Sequence, residues 1–237
     1  QNDVMDYAYN GTSLFEKDGK FTSFSTLGAV YAEVCQIIAR ADSGIKTVAD
    51  LKGKKISVGD SGSGVEFNAQ QILGAYGITF ENIDKQNLSF QASADALKDG
   101  KIDAAFIVAG APTPAITELC TTNDAYLVPI DGEIADKLIA DCPFYTKHAI
   151  PAGTYPGQDT DVTTVTVKAT LIVDAAADED DVYNLTKAIF DNASAIAAEN
   201  AKGNELSIEN AVSGMAAPFH AGAAKYFAEK GATVNVG

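Results

Sequence analysis

The chain has 237 residues, of which 46% are hydrophobic, and its 32 acidic side chains outnumber 17 basic ones, for a formal net charge of −15. This composition excludes a disordered protein, and the acidic balance argues against binding of nucleic acid or of an anionic membrane surface. No apolar run approaches the roughly 20 residues that span a bilayer. The two histidines and three cysteines have no metal-ligand spacing, so no metal or cofactor is predicted.

The three cysteines leave one structural question open. Cys35 alternates into an apolar strand and is predicted to be a buried thiol. Cys120 and Cys142 could pair in an oxidising compartment, although the odd number of cysteines weakens that expectation.

The first 55 residues predict a short helix followed by a long extended stretch. Asn2 is the expected cap of the helix, which Asn10-Gly11 closes. Residues 21 to 40 are predicted to be extended, with a strand from Tyr31 to Ile38, and residues 47 to 54 form a turn.

Residues 56 to 66 predict a buried strand, a Ser/Gly loop and the start of a helix. The helix has an apolar period of 3.6 residues and ends at Gly77. A helix N-terminus offers free N–H groups and a partial positive charge, and glycines allow a ligand to approach the backbone. The loop formed by Ser61, Gly62, Ser63 and Gly64 is therefore a candidate anion site that uses no cation. The alternative, left open by the pattern, is a tight turn in which Ser63 is only the N-cap.

Three catalytic motifs resemble this loop and are excluded. A trypsin-like nucleophile needs an earlier histidine, and none precedes Ser61. The G-x-S-x-G elbow fails because Ser63 occupies the position of its second glycine. A P-loop fails because no Gly-Lys-Ser/Thr follows.

The next 55 residues predict strand–helix–strand alternation, which is typical of a parallel sheet in an α/β lobe. The expected elements are a strand at 86–90, a helix at 93–98 and a strand at 102–108. Thr113 and Pro114 then form the N-cap and first residue of another helix. Because ligands of open α/β sheets bind at the carboxyl ends of strands, the Gly110-Ala111-Pro112-Thr113 loop is expected to share one crevice with residues 61–64. A plain Pro-capped turn is the alternative.

The second half predicts more alternating elements. A strand is expected at 126–130, then a helix at 133–140 with Ile134, Leu138 and Ile139 inward. Residues 143–161 are rich in turn formers and suit an interlobe connection. Residues 165–173 alternate as a half-buried strand. Four acids at 178–181 begin a helix that continues through Leu185 and Ile196, and a last helix spans 221–230.

An ordered set of motifs covers nearly the whole chain. These motifs are 50–59 (DLKGKKISVG), 61–64 (SGSG), 110–116 (GAPTPAI), 143–145 (PFY), 150–158 (IPAGTYPGQ), 161–165 (DVTTV), 186–190 (TKAIF) and 218–223 (PFHAGA). In these residues the chain resembles the extracytoplasmic solute-binding subunit of a TRAP transporter, of the TAXI subfamily.

This resemblance implies an α/β, two-lobe periplasmic-binding-protein-like fold of type II. Residues 1–43 and 162–237 would form lobe 1, and residues 44–161 lobe 2 with the crossover connection. The lobes would close on a small organic anion, glutamate-like or a dicarboxylate, and the monomeric, periplasmic protein would dock on a TRAP membrane permease. By the family pattern, Gln1 faces the cleft opposite the two loops, and Tyr155 lies near the crossover as a secondary contact.

The chain departs from this family at its start. Family members begin with a βαβ segment and a Gly-rich loop, so the first lobe is expected to lack its first βαβ unit here and the native polypeptide to extend upstream of Gln1 with a signal peptide. Two other functions remain open: a ligand-sensing domain of the same fold, and a hydrolase using Ser61, for which no histidine partner is evident.

Overall fold

The structure is a computed structural model that describes residues 1–122 and 125–237. Within these residues the strands are β1 (Phe24–Arg40), β2 (Lys55–Ser57), β3 (Asp84–Gln86), β4 (Ala104–Ala109), β5 (Ala125–Val128), β6 (Thr146–Ile150) and β7 (Val162–Asp174). The α-helices are α1 (Asn2–Asn10), α2 (Gly64–Ala75), α3 (Phe90–Lys98), α4 (Pro114–Thr122), α5 (Gly132–Asp141), α6 (Glu179–Asp191), α7 (Ala193–Glu199), α8 (Ile208–Val212) and α9 (Ala221–Glu229). Short 3-10 helices span Ser13–Phe15, Ala41–Ser43, Val48–Leu51, Phe80–Asn82 and Ala201–Glu205. The predicted α/β class is confirmed.

The chain forms two compact units. Residues 1–32 and 167–237 make the first unit, and residues 33–166 make the second. Both boundaries fall inside long strands, β1 and β7, so each of these strands contributes to both units. That the units act as lobes closing on a ligand stays a prediction. Within the described ranges, every helix falls short of the length and hydropathy that a membrane span requires.

The sheet is mixed, and its strand order is β3-β2-β4-β1-β7-β6, with β5 also paired to β1. The predicted parallel pairing holds for β2 with β3 and for β2 with β4. In contrast, β1 pairs antiparallel with β4 and β5. The turn-rich residues 143–161 were expected to be only a connection, but they contain β6, which pairs antiparallel with the first half of β7.

The order of the strands determines where the helices of the second unit lie. The chain moves from β2 outward to β3 and then back past β2 to β4. Because such crossovers are right-handed, this reversal places α2 and α3 on opposite faces of the sheet. The core on the α3 face also includes α4, and it is formed by buried residues that include Val34, Ile38, Ala105, Ile107, Ile116 and Leu119.

The first unit is held by aromatic packing between α6 and α9. Phe190 of α6 packs against Tyr226 and Phe227 of α9, with ring centroids 6.3 and 5.4 Å apart. Asp178 caps α6, as expected for the acidic start, because its Oδ1 accepts hydrogen bonds from the backbone of Asp180 and Asp181. The helix predicted to continue through Ile196 instead ends at Asp191, and α7 begins after Asn192.

Two predicted element boundaries are wrong for local reasons. Residues 86–90 are not one strand, because Ser89 caps α3 by accepting a hydrogen bond from the Ala92 N–H at 3.3 Å. Asn2 is not the cap of α1, which is Gln1. Asn2 is buried instead, and its amide accepts from Lys168 N at 2.9 Å and donates to Gly214 O at 3.3 Å.

Burial corrects two predictions of which residues are covered. In β7 both faces are covered between Thr164 and Val167, so this part of the strand is not half-buried. Ile134 is 41% exposed, because α5 buries Ala135 and Leu138.

The cysteine predictions have separate outcomes. Cys35 is a buried thiol that belongs to no disulfide of the described residues, as predicted. Cys120 and Cys142, whose pairing the sequence left open, form no disulfide in the residues that the structure describes. Burial raises the pKa of the Cys120 thiol.

Candidate ligand site

The loop between β2 and α2 is shaped by one glycine and one cap. Gly59 has a φ of 85°, a backbone conformation that residues with a Cβ rarely adopt. A Cβ at this position would also lie only 2.7 Å from the Cβ of Val65, so a larger residue would clash. Ser63 is the N-cap of α2, as the alternative interpretation of the loop expected: its Oγ accepts a hydrogen bond from the Glu66 N–H at 3.2 Å. At the other end, Gly77 has a φ of 71° and Ile78 donates to Leu73 O at 2.9 Å, which closes the helix with a Schellman motif.

Glu66, in the first turn of α2, folds its carboxylate back onto the loop. Gly62 N donates to Oε2 at 2.7 Å, while Lys85 Nζ and Asn87 Nδ2 donate to Oε1 at 2.7 and 3.1 Å. Burial disfavours the charged carboxylate, but these three hydrogen bonds outweigh it, and the pKa of Glu66 lies below its usual range. An internal anion therefore already occupies part of the loop.

Sequence reasoning missed this cluster, although two signals for it are present. Ser63 and Glu66 have the S-x-x-E spacing of a capping box. Lys85 is the middle residue of the short strand β3 and Asn87 follows its last residue, and β3 is parallel to β2. Both side chains can therefore reach Glu66 at the start of α2. The loop itself contains no Lys or Arg, and the charge of Lys85, which reaches it from β3, is balanced by Glu66. The expectation that the loop holds an anion without a cation stays a prediction.

The donors that remain are in the first turn of α2. In the described part of the chain, the Gly64 and Val65 N–H groups and the Ser61 hydroxyl make no hydrogen bond to the protein. Ser61 and Gly62 are exposed, and Ser63 and Gly64 are half-buried. These donors are the groups that an anion could use.

The loop between β4 and α4 has a different organisation. Thr113 lies at the start of α4, and its N–H donates to the Tyr155 hydroxyl at 2.8 Å. Its own hydroxyl donates to Gly110 O at 3.0 Å and accepts from Gln36 Nε2 at 3.0 Å. The Tyr155 hydroxyl donates in turn to Gln36 Oε1, which closes a ring of three buried side chains.

The buried ring explains the roles of two predicted site residues. Burial raises the pKa of the Tyr155 hydroxyl, even though its hydrogen bonds with Thr113 act in the opposite direction. Tyr155 and Thr113 are 2% and 5% exposed, so their polar atoms bond to each other and to Gln36. Ala111 is half-buried and Pro112 is exposed, and a cis peptide bond joins them.

The two loops lie at the same edge of the sheet. In the parallel pairing of β2 with β4, Ile56 is opposite Ala104 and Ser57 is opposite Ala105, so both strands end toward the same side. From β2 the chain continues to β3 on one side of β2 and then returns to β4 on the other side. The point where the strand order reverses in this way is a topological switch point, and open α/β sheets bind ligands there. Gln1, the remaining predicted site residue, belongs to the other unit, where its carbonyl accepts a hydrogen bond from Met5 N at 3.1 Å.

Helix N-termini at a switch point of parallel strands are typical of ligand-binding α/β proteins. Residues 1–231 match the model of the NMT1-like family, and the chain belongs to that family.

Several solved structures are similar to this chain in part. The alkanesulfonate-binding protein SsuA from Xanthomonas axonopodis pv. citri, bound to MOPS, is 20% identical, with a TM-score of 0.47 over 87% of this chain and 59% of its own. The periplasmic aliphatic sulphonate binding protein SsuA from Escherichia coli is 17% identical, with a TM-score of 0.40 over 78% and 48%. The P235GK mutant of ArgBP from T. maritima is 14% identical, with a TM-score of 0.44 over 77% and 60%. The chain thus spans between about half and three fifths of the length of these proteins.

Proposed function

We propose that this protein is the extracytoplasmic solute-binding subunit of a TRAP-type transporter, which captures a small organic anion and delivers it to a membrane permease. Glutamate-like molecules and small dicarboxylates are the first candidates. The TAXI-type motifs described above support the transporter class. The observation that carries the binding role is the loop at residues 61–64, where N–H groups of the first turn of α2 make no hydrogen bond to the described residues.

The physical basis is a set of local donors in an acidic protein. The formal charge of −15 repels an anion at long range, so its binding depends on short-range hydrogen bonds. The N–H groups of Gly64 and Val65 supply the main bonds, and each of these to a charged group contributes roughly 1.5–3 kcal/mol. The exposed Ser61 hydroxyl, which water can replace, adds about 0.5 kcal/mol. The α2 dipole adds a further favourable contribution within the first turn.

A hydrolase that uses Ser61 has no comparable support. In the residues that the structure describes, no histidine or carboxylate hydrogen-bonds to the Ser61 hydroxyl. A nucleophilic serine needs such a base to remove its proton. We therefore assign Ser61 a binding role.

The proposal is tested by Gly64→Asp, which places a like charge at the first residue of α2. We expect the affinity for small carboxylates to fall at least tenfold, about 1.4 kcal/mol, whereas the fold tolerates an acid at a helix start. Gln70→Glu is the matched control, because it adds the same charge to an exposed position on the same helix. Calorimetry measures binding, and circular dichroism confirms folding.

A ligand screen by thermal shift completes the test. Small carboxylates are expected to raise the melting temperature by mass action, and sugars and cationic amines are not. The proposal is rejected if only sugars or amines stabilise the protein. It is also rejected if a folded Gly64→Asp variant binds carboxylates as tightly as the wild type.

A further inference from the structure

A cavity of about 420 Å³ opens in the second unit, at the edge of the sheet opposite to the α2 and α4 loops. Arg40, the last residue of β1, lines it, and the Arg40 N–H donates to Asp103 O at 3.1 Å, just before β4 begins. The α4 loop follows the other end of β4, six residues and about 20 Å away. The cavity is therefore separate from the candidate ligand site, and its volume is typical of sites for small molecules.

The guanidinium of Arg40 has donors that the protein does not use. Its Nε is buried and has no hydrogen-bond partner in the described residues. This Nε lies 3.1 Å from Asp42 Oδ1, but its N–H is not directed at that oxygen, and Nη2 lies 3.6 Å from Asp103 Oδ1. These contacts balance the charge of Arg40 without using its donors well. A planar fork of donors in this state fits a carboxylate, which a guanidinium binds through two parallel hydrogen bonds.

Gly100, just after α3, makes room for this guanidinium in the cavity wall. Gly100 has a φ of 68°, and a Cβ there would lie 2.5 Å from Arg40 Nη1. Any other residue would push the guanidinium away from the end of α3. The local backbone therefore holds Arg40 at the cavity.

The rest of the lining consists of an apolar floor and a charged rim. Leu97 of α3 and Leu119 of α4 are buried and form the floor. Lys98, the last residue of α3, lies on the rim, and it forms no ion pair with the described residues. Asp99 also lies on the rim, but it is ion-paired with Lys101 at 2.8 Å.

The charges at the cavity favour an anion over a cation. Asp42 is the remaining acid of the lining, and because it is 77% exposed, water screens its charge. The carbonyl end of the α3 dipole disfavours an anion, and the two cations Arg40 and Lys98 offset it. A ligand that matches both the cations and the floor has one anionic group and an apolar body.

We propose that this cavity is a second ligand site, which takes a small carboxylate with an aryl or short alkyl body. The carboxylate accepts two hydrogen bonds from the Arg40 guanidinium, and Lys98 adds a favourable charge. The apolar body covers Leu97 and Leu119. The site does not depend on the proposed transport function, because it lies at the other edge of the sheet.

The test uses benzoate as the probe on the whole 237-residue chain. We expect saturable binding with a Kd below about 1 mM in calorimetry, and NMR shifts at the Gly100 and Ala125 amides beside the cavity. Arg40→Lys, which keeps the charge and loses the fork, should weaken binding at least fivefold, and Lys98→Gln about threefold. Lys52→Gln is the matched control, because it removes the same charge from an exposed lysine of the same unit.

Two further measurements keep the proposal falsifiable if Arg40→Lys fails to fold. Ala41→Phe places a large side chain at an exposed position of the lining and should abolish the binding of benzoate. Benzylamine, which has a similar body and the opposite charge, should not bind to the wild-type protein. Equal binding of benzylamine and benzoate would overturn the proposal.

The remaining outcomes also decide the question. The proposal is overturned if benzoate shifts only the amides of Gly62 and Gly64, because it then uses the α2 loop. It is overturned as well if no saturable shift occurs below about 10 mM benzoate. Equal weakening in Lys98→Gln and Lys52→Gln would mean that only the overall charge matters, and this too would reject the site.

Discussion

The N-termini of α2 and α4 lie at the same edge of one sheet, yet their polar groups are satisfied in different ways. At α4, the Thr113 N–H is taken by the Tyr155 hydroxyl, and both side chains are buried. At α2, the cap comes from the helix itself, through Ser63 and Glu66, and the Gly64 and Val65 N–H groups are left open. A helix N-terminus alone therefore does not identify a binding site. What matters is which of its donors the protein already uses.

The largest loss of stability is expected for Tyr155→Phe, which tests whether the buried ring at α4 is structural. The change removes the hydroxyl that accepts from Thr113 and donates to Gln36, and it leaves both groups buried without that partner. An unsatisfied buried group costs about 1–3 kcal/mol, so we expect a loss of unfolding free energy in that range. Urea denaturation measures it.

The matched control for this change is Tyr76→Phe. The Tyr76 hydroxyl donates to Asp131 O at 3.1 Å in an exposed position, so water can replace the lost bond and we expect a loss below about 0.5 kcal/mol. Equal losses in the two variants would contradict the structural role of the buried ring at α4.

The parts of the site that could be predicted from sequence depend on neighbours along the chain. Ser63 as the cap of α2, Gly77 as its end and Thr113 at the start of α4 all follow from patterns of a few residues. The shared edge of the two loops follows from the alternation of strands and helices. Such signals involve residues within one or two helical turns of each other, so they can be recognised in the sequence alone.

The contacts that sequence could not provide join distant residues. Tyr155 and Thr113 are 42 positions apart, and Lys85 and Glu66 are 19 apart. No local pattern states that Tyr155, within a Pro- and Gly-rich stretch, reaches the start of α4. For the same reason β6 was missed, because its pairing with β7 and not its turn-rich composition determines its structure. The buried Nε of Arg40, which has no hydrogen-bond partner in the described residues, is likewise a property of packing.

Glu66→Gln is expected to have an intermediate effect on stability, and it tests how the N-terminus of α2 is stabilised. The pKa of Glu66 is lower in the folded protein, so its contribution to stability is present above the unfolded pKa of about 4.3 and is lost as the pH falls through the folded pKa. We expect the variant to be less stable at pH 7 by up to about 1 kcal/mol, the upper range for a surface ion pair. In acid the two proteins should converge.

Denaturation across the pH range, with Glu81→Gln as an exposed control, measures this effect. A difference that is the same at pH 7 and in strong acid would mean that the ion pair of Glu66 with Lys85 contributes nothing. The same variant bears on binding, because the neutral amide that replaces the carboxylate can still accept from Gly62, while the negative charge next to the open donors is removed. We expect the affinity for small carboxylates to rise.

The smallest expected effect is that of Ser61→Ala, and it separates the side-chain donors of the α2 loop from the backbone donors. Ser61 is exposed, and in the described residues its hydroxyl makes no hydrogen bond, so stability should not change. Binding should weaken by about 0.5 kcal/mol, roughly twofold, because one hydroxyl is lost while the Gly64 and Val65 N–H groups remain. Ser63→Ala is the informative partner: it deletes the N-cap of α2 and should cost about 1 kcal/mol of stability. Calorimetry and urea denaturation on both variants measure the two quantities, and a tenfold loss of affinity in Ser61→Ala would mean that the hydroxyl, and not the helix backbone, holds the anion.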